Sequence, residues 1–265
     1  MKLFYQSYFE HYTPEQSPYA TVIIIPGLFG STGNWRSFAK QLSQYTSVIV
    51  LDQRNHGNSP HSPQNSYIDL ADDLGELVTD LGISKVTLCG HSMGGKTAMT
   101  FALANPHLIE KLIVLDIAPV EYEHSHAAML EGLLAVDLEG VGSRSEVEKS
   151  LISAIPDKGT RMFIMLSLKK SDEGYFWCLN LQALYDNLGH IGGFPTNNFT
   201  DVSFDQPCLF VKGAKSDYLL EKHKESLFRY FPKAIIETID GAAHWLHIDK
   251  PREVFDEILA FIKKE

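Results

Sequence analysis

The chain has 265 residues, 44% of them hydrophobic and 21% charged, enough apolar material for a large core and too much for disorder on the scale of a domain. Its formal net charge of −10 repels phosphate backbones and anionic lipid, which argues against nucleic acid or a membrane as partner. No apolar run approaches a membrane span, residues 1–10 hold no signal-peptide core, and Cys89, Cys178 and Cys208 give neither an even disulfide set nor a metal spacing, so a cytoplasmic protein without metal or cofactor is expected.

Strands and helices alternate along the chain. Val22-Ile23-Ile24-Ile25 is a β-branched run that ends at the turn signal Pro26-Gly27. A second run spans 48–51. Ile68, Leu70, Ala71, Leu74, Leu77, Val78 and Leu81 then recur at helical spacing. The third run, 86–89, leads into a helical pattern over 92–104, and the fourth is 112–115. Between Pro119 and Asp205 the rhythm breaks: the stretch is helical in pattern, rich in large apolar residues, and holds no buried strand. Runs at 208–211 and 235–239 follow, then a helical face at 253–264 after Pro251. Most runs are continuously apolar, as parallel strands covered on both faces require. The expectation is a doubly wound α/β core over 1–118 and 206–265, with residues 119–205 inserted as a helical cap.

Gly90-His91-Ser92-Met93-Gly94 follows a strand run and opens a helix. That context is what a nucleophile elbow needs: the serine sits on a strained turn, and the glycines permit tight packing. A serine hydroxyl needs a base, and His244, in Gly241-Ala242-Ala243-His244-Trp245 just past the last strand run, lies on the loop at the same sheet edge as Ser92. The competitor His247 falls closer to the final helix and reads as a surface or packing residue. The acid that orients the imidazole is Asp116, at the end of one strand run, or Asp217, after another; spacing does not separate them. The oxyanion donors are expected from the N–H of Met93 and from the loop Pro26-Gly27-Leu28-Phe29-Gly30, with Leu28 first and Phe29 second. The triplet Gly95-Lys96-Thr97 lacks the upstream glycine of a phosphate loop.

These motifs, with Asp52-Gln53-Arg54-Asn55-His56-Gly57 and Asp116-Ile117-Ala118-Pro119-Val120, resemble the α/β-hydrolase superfamily along nearly the whole chain, and more closely the YbfF-type bacterial esterases. The resemblance implies the α/β-hydrolase fold, a mostly parallel sheet flanked by helices. It places the acid after the strand that follows the elbow helix, which selects Asp116. Ser216 stands where most of the superfamily keeps its acid, and a hydroxyl there can only assist by hydrogen bonding. The segment around Arg54 and His56 is implied to be structural. The implied activity is carboxylesterase, acting on an ester or thioester such as an acyl-CoA. A C–C hydrolase or lyase on the same triad and a non-catalytic receptor are the rival readings. Phe29, Met165, Phe176, Trp177, Tyr185 and Trp245 are expected to line the acyl pocket.

Overall fold

The computed structural model describes residues 1–123 and 126–264. Its strands are β1 (Tyr5–Tyr8), β2 (Thr21–Ile25), β3 (Val48–Leu51), β4 (Val86–His91), β5 (Ile109–Leu115), β6 (Leu168–Ser171), β7 (Gly174–Trp177), β8 (Cys208–Gly213) and β9 (Ala234–Ile239). Seven of them form one sheet in the order β1-β3-β2-β4-β5-β8-β9. Every pairing is parallel except that of β1 with β3. Ile24, Cys89, Ile113 and Leu209 stand level across the central strands.

Period-two alternation divides each strand between two cores. Ile23, Ile25 and Ile49 point to one side, where α2 (Tyr67–Asp80), α3 (Met93–Ala104) and α9 (Lys224–Tyr230) cover them. Val22, Ile24, Val48 and Val50 point to the other, under Trp35, Ala39 and Leu42 of α1 (Thr32–Leu42) and Val254, Phe255 and Ile258 of α10 (Pro251–Lys263). Both faces are dry, so the strands read as unbroken apolar runs.

A third apolar cluster lies over the carboxyl edge of the sheet. The stretch between β5 and β8 holds α4 (Ala127–Leu134), α5 (Arg144–Ser150), α6 (Lys158–Met165), the antiparallel pair β6–β7, α7 (Leu181–Asp186) and α8 (Leu188–Gly192). Leu130, Leu133, Val147, Ile164 and Leu184 from these elements pack with Leu28, Phe29 and Met93 of the core. The β6–β7 hairpin breaks the expectation of a purely helical stretch. Its strands are four residues each, β6 largely exposed and β7 largely half-buried, so they lack the continuous apolar run that marks a buried strand. β1 escaped notice for the same reason: it is a largely exposed edge strand.

The elbow depends on missing side chains. A Cβ on Gly94 would overlap the carbonyl oxygens of Ile25 and Pro26, and one on Gly90 would overlap the carbonyl of Gly94. On Gly95 it would stand 2.6 Å from Ile117 Cγ2. Backbone cannot yield as a flexible side chain can, so α3 touches the sheet only because these positions are bare. Gly94→Ala is expected to cost about 3 kcal/mol or more. Thermal unfolding should read this as a midpoint lower by roughly 6–12 °C in a chain of this size.

Candidate active site

β4 runs into α3 through Ser92, whose φ of 52° and ψ of −119° lie where only glycine rests without strain. The turn is held by the sheet itself, since the Ser92 N–H donates to the Leu115 carbonyl at 3.0 Å. The hydroxyl is thereby lifted off the end of the strand. The N–H of Met93, at the first position of α3, has no acceptor within the helix.

Asp116 follows β5 directly and is also forced to positive φ, 53°. Its N–H donates to Val211 at 2.8 Å, which ties it to the neighbouring strand β8. The carboxylate is fully buried. Oδ1 accepts the Gly213 N–H at 2.9 Å, and Oδ2 accepts the Ser216 hydroxyl and His244 Nδ1, the latter at 2.8 Å. His244 Nε2 then faces the Ser92 Oγ at 3.0 Å. With Nδ1 donating to a carboxylate, the neutral ring leaves Nε2 as the acceptor of the serine proton. Asp217 is exposed, one residue beyond the hydroxyl that reaches Asp116. The carboxylate beside the imidazole is therefore that of Asp116, with Ser216 bound to it.

Two neighbours hold the imidazole that spacing alone had not singled out. The Tyr218 ring stacks on it at 3.9 Å. His91 Nε2 donates to the His244 carbonyl at 2.9 Å. Burial, helped by the nearby His244 charge, drives the His91 pKa down to about 3, so it stays neutral and serves as a fixed donor. Its place beside Ser92 in the Gly90-His91-Ser92-Met93-Gly94 motif was the available signal. His247 is buried, stacked on Trp35 at 4.1 Å, and held well below the usual imidazole range by burial. It packs and does not reach Ser92.

The loop after β2 lies beside Ser92. Phe29 has φ of 66°, and Gly30 closes a turn onto the Gly27 carbonyl at 3.0 Å. A Cβ on Gly27 would come within 3.2 Å of Ser92 Cβ. Gln53 fixes the loop: its Nε2 donates to the Pro26 carbonyl at 2.8 Å, while its Oε1 accepts the Thr97 hydroxyl of α3 at 2.7 Å. Asp52 accepts the N–H groups of Thr32 and Asn58, and Arg54 pairs with Asp73 at 2.6 Å. This segment thus braces the loop from behind. Among the described residues no acceptor takes the Leu28 N–H.

Two cavities open at Ser92. The outer, of about 190 Å³, is walled by Leu28, Phe29, Met129, Thr160, His244 and Trp245. The inner, of about 30 Å³, runs past Met93 to Lys96, Tyr67 and Tyr122. Of the side chains expected to form the pocket, Phe29 and Trp245 are in its wall. The other four are not. Met165 is buried within the third apolar cluster, and Trp177 and Tyr185 pack at its edge. Phe176 is exposed, opposite Lys169 on the outer face of the hairpin. Apolar content marked the segment, but its faces depend on a hairpin that the pattern did not reveal. Cys178 donates to the Ser167 carbonyl at 3.0 Å and stands in neither wall. Among the described residues no group of three or more His, Cys, Asp or Glu is placed to hold a metal ion.

Comparison with known proteins agrees with this architecture. The family model described as the alpha/beta hydrolase fold matches residues 20–143. The sn-1-specific diacylglycerol lipase ABHD11 of Danio rerio is 38% identical over 250 residues, covering 91% of this chain and 78% of that protein. Esterase YbfF of Escherichia coli is 32% identical over 242 residues, covering 91% of this chain and 92% of that protein. A solved marine microorganism esterase superposes with a TM-score of 0.92 at 36% identity, covering 98% of this chain and 99% of that one.

The geometry separates the two acids by experiment. Asp116→Asn keeps the shape but turns the imidazole to the wrong tautomer, so kcat should fall roughly 10³- to 10⁴-fold. Asp217→Asn should leave steady-state ester turnover within about twofold, because an exposed side chain away from the site rarely matters.

Proposed function

The chain belongs to the α/β-hydrolase family and is a carboxylic ester hydrolase of the esterase/lipase type; from that premise we propose that it is a serine carboxylesterase working through an acyl-enzyme on Ser92. The observation that carries the reading is the chain of contacts from Asp116 Oδ2 to His244 Nδ1 at 2.8 Å and from His244 Nε2 to Ser92 Oγ at 3.0 Å.

In this mechanism Ser92 Oγ attacks the ester carbonyl while His244 Nε2 takes its proton. The N–H groups of Leu28 and Met93 receive the oxyanion of the tetrahedral intermediate. The imidazolium is stabilised by the buried Asp116 carboxylate and returns its proton to the departing alcohol. Water, deprotonated by His244, then adds to the acyl-enzyme, and the acid leaves as Ser92 is regenerated. A thioester fits the same steps with a thiol as leaving group.

Residues 119–205 act as a cap over the site. Met129 and Thr160, from this stretch, face Trp245 and Leu28 across the outer cavity, an apolar setting suited to small and medium acyl or alcohol groups. Three free cysteines suit a reducing, cytoplasmic setting.

Ser92→Ala should abolish labelling by a fluorophosphonate probe and reduce ester turnover at least about 10⁴-fold. Labelling that survives the substitution would move the nucleophile elsewhere. A series of 4-nitrophenyl acyl esters, run beside matching CoA thioesters and a diacylglycerol, should show kcat/KM highest for the short and medium oxygen esters.

A further inference from the structure

Lys96 lies one turn beyond Ser92 on α3, in a helix otherwise built of small and apolar residues. It is 1% exposed. Its ammonium donates to the carbonyls of Gly192 at 2.7 Å and Gly193 at 2.5 Å, and lies 4.7 Å from the Tyr122 ring centre. An ammonium has three donors. Two are taken by carbonyls, and among the described residues no carboxylate pairs with it. A buried cation without an anion is costly, and it stands in the wall of the same small cavity that begins at Ser92. That cavity is small, about 30 Å³, which limits any acyl group that enters it from Ser92 to a short one.

Building on the serine-esterase reading, we propose that Lys96 is a specificity-determining residue that receives an anionic terminus on a short acyl group, so that hemiesters of small dicarboxylic acids are favoured substrates. The acyl carbon sits on Ser92, its chain runs inward past Met93 and Ile117, and its carboxylate meets the third N–H of Lys96. The neutral leaving group stays in the outer cavity.

The groups around the ammonium are Tyr67 on α2 and Tyr122, Glu121, Glu123 and His126 on the segment after β5. Burial raises both phenols, and it lowers His126 to about 4, which leaves all three uncharged at neutral pH. Glu121 and Glu123 are exposed. Burial also lowers Lys96 itself to about 7, with Glu121 opposing. The protonated form that an anion needs therefore fades as pH rises through neutrality.

The test compares monomethyl succinate with methyl 4-methylpentanoate, in which an isopropyl group replaces the carboxylate at equal size. The readout is the ratio of kcat/KM for the two esters, in which any change at the Ser92–His244 pair cancels. The ratio should drop roughly 10- to 100-fold in Lys96→Met, and recover in part in Lys96→Arg. In the unsubstituted enzyme it should fall as pH is raised above about 7, a result available even if Lys96→Met does not fold. A ratio unchanged by pH, or equal in the enzyme and Lys96→Met, overturns the anion site while the esterase reading stands on the neutral ester. Turnover of neither ester overturns both.

Discussion

The arrangement rests on one buried charge. Asp116 has no exposure at all, and a carboxylate in such a place survives only if its oxygens are filled with donors. The fold fills them with three donors: the Gly213 N–H at the end of β8, the Ser216 hydroxyl one turn later, and the His244 imidazole from beyond β9. Meeting the demands of Asp116 thus fixes the loop that carries His244. The His244 ring in turn is held between Tyr218 and His91, so its other nitrogen has one place to point.

Strain concentrates at the same edge. Phe29, Ser92 and Asp116 all have positive φ, and all three immediately follow or lie near the carboxyl end of a parallel strand. Asn55, the remaining non-glycine residue of this kind among those described, lies in the segment that braces the loop after β2. Each such conformation costs of order 1–3 kcal/mol. The cost is carried by a sheet buried on both faces, whose ladder grips Ser92 through Leu115 and Asp116 through Val211. Rigid strands below and strained turns above hold the polar side chains of Ser92 and Asp116 at one edge of the sheet.

The parallel core was readable because most of its strands are apolar on both faces and helices such as α2 keep one apolar face at helical spacing. That Ser92 and His244 meet at one edge of the sheet was readable because strand, turn and helix cues surround them. Asp116 was different. Asp217 occupies an equivalent position by spacing, and only the resemblance to esterases chose between them; what separates them physically is the positive φ and the three donors, which no spacing encodes. Phe176, Trp177, Met165 and Tyr185 went astray because an apolar side chain can face a core as readily as a substrate. Lys96 carried a visible mark that went unused: a charge set in a helix with no polar face.

The inserted stretch and the core share the site rather than dividing it. Thr160 and Met129 come from the former, Trp245 and Leu28 from the latter, and the carbonyls on Lys96 belong to the end of α8. The central claim is that the His244 ring is held through Nδ1–H by the buried Asp116. Proton NMR of the imidazole N–H region measures that contact directly. One strongly downfield, exchange-protected resonance is predicted in the intact protein and in Asp217→Asn, and none in Asp116→Asn. Its persistence in Asp116→Asn, or its loss in Asp217→Asn, would contradict the account.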